Sequence, residues 1–201
     1  MAHDSSSSRF SWQHMRSFCA NRSVMFWATL VVVVVSALVG SLPLFDGPGY
    51  ESALAAGLFV PLVTIIATAL ELSQRRLSPF DALSVGAANG ARLLGLAWLI
   101  AMLHGLRHGY CDAWGGTVHW ALGPGVGVML AGAWGALVGE WAGRVKRRRL
   151  AAVCLGLAAP LISVLISVGR FYTSPMVFAY DPFVGFFSGS FYDTIIEFSG
   201  L

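Results

Sequence analysis

Residues 24–44 read VMFWATLVVVVVSALVGSLPL, a stretch without a charged residue and with an unbroken valine run at 31–35. A hydrocarbon core about 30 Å thick takes roughly 20 apolar residues of α-helix to cross. Lipid gives the backbone no partners, so the helix must satisfy its own N–H and C=O groups. A secretory signal has an apolar core of only about 7–15 residues, so this longer run reads as an uncleaved membrane helix. The polar residues 1–22 before it, with serines at 5–8 and with Arg9, Arg16 and Arg22, are expected to form a flexible cytoplasmic tail.

Outward from this helix the pattern returns four times. Asp46-Gly47-Pro48-Gly49 has turn chemistry, and so short a link makes the first two helices antiparallel neighbours. A second helix is expected over 53–72, bent at Pro61, and a third over 83–103, carrying Asn89 and Arg92. Residues 104–119 read as an outer loop. A fourth helix covers 120–141 with tryptophan at both ends, where amphipathic rings favour the membrane interface. A fifth covers 150–168 and contains Pro160; proline in a membrane helix is tolerated where neighbours satisfy the freed carbonyl. The expected fold is therefore an all-α membrane protein. Its parts are a tail over 1–22, a five-helix transmembrane bundle over 23–168, and an extracytoplasmic or interfacial aromatic segment over 169–201.

Composition agrees. Of the 201 residues 56% are hydrophobic and 11% charged, with mean hydropathy +0.69; a soluble domain carries about 25% charged residues. The net charge of +3 is explained by placement. With the N-terminus inside, Arg9, Arg16, Arg22, Arg75, Arg76, Arg144, Lys146, Arg147, Arg148 and Arg149 are cytoplasmic, while only Arg107 and Arg170 are outside. This positive-inside bias predicts an inside N-terminus and an outside C-terminus in a bacterial cytoplasmic (inner) membrane. The run from Arg144 to Arg149 reads as a topology determinant that also meets anionic lipid heads, at about 1 kcal/mol per basic residue, and not as a nucleic-acid site. Cys19, Cys111 and Cys154 fall in different compartments, so no disulfide within the chain is expected.

Arg92 is the hardest residue to place. Arginine at the centre of a membrane helix costs about 2.5–3.5 kcal/mol, less where it snorkels to the interface. Its side chain leans toward the helix N-terminus, the cytoplasmic end here, so snorkelling is one resolution. An ion pair with Glu71 or Glu140, at the cytoplasmic ends of the second and fourth helices, is another, and a charge relay for transport a third. Pro61, Thr64, Thr68 and Glu71 share one helical stripe, which can line a pathway, although threonine also bonds back to its own helix. Gly125, Gly132 and Gly139 are seven apart, Gly135, Gly139 and Gly143 four apart, and the third helix adds Gly86, Gly90, Ala91 and Gly95. Small faces of this kind let helices approach closely. His104, His108, Cys111 and His119 in the outer loop are ligand types for zinc or copper. Neither a zinc-protease helix motif, a paired-cysteine motif, a nucleophile elbow nor a phosphate-binding glycine loop is present, and no cofactor is implied.

The tail is the most distinctive stretch: ten of its 33 residues are aromatic, interrupted by Asp181-Pro182, Gly185 and Gly189. Breakers predict a non-helical segment along the outer face or over the outer helix ends, with Phe183, Phe186, Phe187, Phe191 and Tyr192 partly uncovered for a partner. Ser174-Pro175, then Tyr180-Asp181-Pro182-Phe183-Val184-Gly185-Phe186-Phe187-Ser188-Gly189, then Tyr192-Asp193, resembles a stretch of large bacterial membrane proteins in which a helical bundle precedes a peptidase-like extracytoplasmic domain. The resemblance spans 173–197 and implies that this chain is the membrane part of something longer. The expected function is a non-enzymatic anchor or scaffold that positions an extracytoplasmic domain or partner. Alternatives are a small transporter or channel subunit using Glu71, Arg92 and Glu140, and a membrane metalloenzyme using the outer-loop histidines.

Overall fold

The computed structural model of the chain describes residues 6–45, 47–109, 112–173 and 178–188. In chain order the elements are α1 (Ser6–Gly40), α2 (Tyr50–Leu72), α3 (Pro79–His108), α4 (Ala113–Trp120), a π-helical turn (Ala121–Gly125), α5 (Val126–Ala142), α6 (Arg148–Thr173), β1 (Phe178–Asp181) and β2 (Gly185–Ser188). Five stretches are long and apolar enough to cross a membrane: Ser23–Gly40, Tyr50–Leu72, Pro79–His108, Ala113–Ala142 and Arg148–Arg170. The fourth is α4, the π turn and α5 in succession. The architecture is that of an integral membrane protein.

Two expected boundaries move. α1 already begins at Ser6, inside the stretch expected as a flexible tail. The outer loop shrinks, because α3 runs on to His108 and α4 starts at Ala113. Gly109, at φ +92°, closes α3 by donating its N–H to the Gly105 carbonyl at 2.8 Å, a conformation that glycine adopts without steric cost. Asp112 caps α4 by accepting from the Gly115 N–H at 2.9 Å. His104, His108 and His119 therefore lie on helices. At its other end α3 starts with Pro79 at the first helical position and Ser78 as cap: the Ser78 hydroxyl accepts from the Asp81 N–H and donates to the Asp81 carboxylate at 2.7 Å.

α2 is the centre of the bundle, touching α1, α3, α4, α5 and α6. Val32, Val60, Leu93, Ala97 and Val128 form the main core and are all fully buried. Glycine sets the helix spacing. A Cβ on Gly86 would collide with the Gly132 carbonyl oxygen, and one on Gly132 with that of Gly86, so α3 and α5 touch backbone to backbone. Gly135 and Gly139 meet α2 at Ile65, Thr68, Ala69 and Leu72. Two of the prolines are accommodated locally. Pro160 in α6 frees the Gly156 carbonyl, which accepts from the Trp134 indole of α5 at 3.1 Å. Pro124 lies within the π turn, a common form of inserted helical bulge.

The tail adds a feature that an all-α reading lacked. β1 and β2 pair antiparallel, with Phe178 opposite Ser188 and Asp181 opposite Gly185. The connecting turn does not stay at the surface. The Val184 carbonyl lies against Gly57 of α2 and the Phe183 carbonyl against Gly127 of α5, each where a Cβ would collide. Gly57 is seven residues into α2, so the tip enters the bundle by about 10 Å.

Candidate functional site

Two buried polar centres stand out. The first pins the hairpin. Asp181 is fully buried, and its carboxylate accepts four hydrogen bonds. Ser163 and Ser167, one turn apart on α6, donate their hydroxyls to Oδ2 at 2.6 and 3.1 Å. The Phe183 and Val184 N–H groups donate to Oδ1 at 2.9 and 3.0 Å. An aspartate that bonds its own backbone two and three residues on closes a turn, and Pro182 between them has no N–H to satisfy. Non-helical backbone at membrane depth is stable only where protein or water supplies its partners. Here Asp181 supplies the acceptor for two N–H groups of the turn, and Gly57 and Gly127 supply the room for it.

Phe183 was expected at a partner-facing surface. It is instead buried at 7% exposure against Ile65 and Ala131, because the two glycines leave room for the turn between α2 and α5. The side chains of Phe186 and Phe187, and Phe191 and Tyr192 altogether, lie outside the described residues. Asp181 itself was read from sequence only as a helix breaker. The signal that could have found its role is the Ser163/Ser167 pair, one turn apart in the apolar stretch of α6.

The second centre lies where α2 and α3 approach each other near Leu72. Glu71, 5% exposed, accepts from the Asn89 side-chain amide at 2.9 Å and pairs with the Arg75 guanidinium at 3.3 Å. The same Asn89 amide reaches the Thr68 hydroxyl at 3.3 Å. Thr64 and Thr68 are fully buried, so the stripe that runs from Pro61 to Glu71 faces inward. Thr64 donates back to the Val60 carbonyl at 2.8 Å, the local bonding that threonine makes to its own helix.

The contact expected between Arg92 and either acid is replaced by others. Glu71 is held by Arg75 and Asn89, and Glu140 by Arg144 at 2.7 Å, while Arg92 is exposed on α3. The reason is reach: an arginine four residues on in the chain, just past the end of the same helix, meets each carboxylate without waiting for another helix. Arg144 is thereby engaged, and the remaining basic residues of its run, Lys146, Arg147, Arg148 and Arg149, line an open concavity of about 460 Å³ with Gln74 and Leu150.

The histidines do not converge. His104 packs its ring on Gly40 of α1, His119 stands edge-on to the Tyr50 ring with centroids 5.9 Å apart, and His108 is exposed. Among the described residues no three His, Cys, Asp or Glu side chains form a group able to hold a metal ion. Cys111 lies outside the described residues. Compared with protein-family models, curated proteins and solved structures, the chain has no significant match.

Proposed function

We propose that this chain is a membrane scaffold. In this reading the bundle anchors it, and the hairpin fixes the point from which the C-terminal segment leaves, so that a domain or partner beyond the membrane is held in a set place. The observation that carries the reading is the Asp181 clamp. A tether that only anchors has no use for a buried four-bond pin, whereas a positioning device requires its last fixed segment to be rigid. Both polar centres join groups from different elements, which sets register between those elements.

The segment's likeness to bacterial membrane proteins with a peptidase-like extracytoplasmic domain agrees with this role, as does a bacterial inner-membrane setting with the basic end inside. At that end the concavity of Lys146 to Arg149 suits anionic lipid heads. Of the three charged residues a transporter reading would use, Glu71 alone faces the interior.

Electron-resonance distance measurement tests the scaffold. Spin labels at His108→Cys and Ser188→Cys, with the native cysteines replaced and the chain in nanodiscs, should give a narrow distance distribution. Asp181→Ala should broaden it while the helical signal in circular dichroism is kept. A parent distribution as broad as that of the variant would sink the proposal.

A further inference from the structure

Arg92 is exposed on α3, yet its level in the bundle is not that of an interface. Gly90, two residues earlier, abuts the Val128 carbonyl, with a Cβ there 2.9 Å from the oxygen. Val128 lies at the middle of the span Ala113–Ala142. From that level the interface is roughly 15 Å away, about twice the length of an arginine side chain, so snorkelling does not bring the guanidinium to water. A charge at this depth is stable against a protein partner and costly against lipid.

The surroundings are shaped for such a partner. Beside Arg92, which is not itself in the lining, Ala91 and Gly95 belong to one wall of an apolar groove of about 580 Å³ whose other wall includes Ala121, Gly125 and Met129. Gly95 has nothing within 4 Å of where its Cβ would stand. Along α3, Ser84, Ala88, Ala91 and Gly95 are exposed and small, the surface that admits a second helix closely.

We propose that this face receives a transmembrane helix of a different protein, one that carries an aspartate or glutamate near its middle to pair with Arg92. Charge selects the occupant. A second copy of this chain is disfavoured, because a two-fold pairing on this face would set Arg92 against Arg92. Moreover, the exposed acids among the described residues, Glu51, Asp81, Asp112 and Glu140, all lie at helix ends. The inference goes beyond the scaffold reading by adding a partner within the membrane. It is measured without reference to the hairpin, so either can fail alone.

The test uses the full chain, donor-labelled in phosphatidylcholine vesicles, with acceptor-labelled synthetic Leu/Ala transmembrane peptides bearing Glu, Gln or Leu at the centre. The Glu peptide should bind roughly 5- to 30-fold more tightly than the Leu peptide. Arg92→Leu should abolish that preference and Arg92→Lys should keep most of it, while Gly95→Leu should weaken all three peptides by filling the groove. Equal binding of the Glu and Leu peptides, or a Glu preference that survives Arg92→Leu, would overturn the proposal. Two further outcomes would also overturn it. One is energy transfer between differently labelled copies of the chain alone that Arg92→Leu removes, which would make the occupant a second copy. The other is a loss of thermal stability on Asp193→Asn or Glu197→Gln equal to that on Arg92→Leu, which would make it this chain's own C-terminal segment.

Discussion

Glu71 and Asn89 come from different helices and meet at 2.9 Å in a nearly dry place, where either group left alone would have no water to turn to. Hydrogen bonds between membrane helices are worth about 0.6 kcal/mol on average and up to about 1.7. A double-mutant cycle of Glu71→Gln and Asn89→Ala, followed by unfolding in micelles, should therefore return a coupling in that range. Arg92→Leu crossed with Glu71→Gln should return none, since Arg75 and Asn89 engage Glu71. A measurable Arg92–Glu71 coupling would restore the ion pair that the sequence alone suggested. Asp181 makes a sharper case. Asp181→Ala strands two hydroxyls and two backbone donors and should cost at least about 2 kcal/mol. Asp181→Asn keeps an acceptor for the turn and should retain more stability than alanine; melting in micelles ranks the pair, and equal losses would argue against the clamp.

Helices here are spaced by what their glycines lack. Gly86 and Gly132 face each other so closely that a methyl on either would strike the other's carbonyl oxygen. Gly132→Val should therefore push α3 from α5 and cost about 1–3 kcal/mol, as overpacking does. Gly95, with open space beside it, is the control: in the isolated chain Gly95→Ala should be neutral or gain up to about 1 kcal/mol from helix propensity. Comparable losses at both positions, measured as melting temperatures, would mean that flexibility and not contact sets their effect. The glycine spacing was visible in the sequence. Which helix each glycine meets was not, because α2 and α3 converge on α5 together and spacing alone does not tell two neighbours apart.

For the whole molecule the basic residues predict an orientation that can be tested. Reporter fusions after Arg76, Gly115, Arg148 and Leu201 should read inside, outside, inside and outside, as the positive-inside bias requires; an inside signal at Leu201 would contradict it. The five spans were legible because lipid enforces one rule everywhere: a crossing helix must be apolar for its full length, and sequence records that directly. Pro61, Thr64, Thr68 and Glu71 were legible as one inward stripe for a similar reason, since helical period places them on one face. The sequence by itself thus determined which of the described helices are long and apolar enough to cross a membrane and which face of α2 is polar. Only the tertiary structure decided the partners: Glu71 with Asn89 and Arg75, Arg92 turned outward, and Asp181 carried into the bundle by a hairpin that Gly57 and Gly127 admit. Pairing of this kind depends on distances between elements far apart in the chain, and a local pattern of residues holds no record of them.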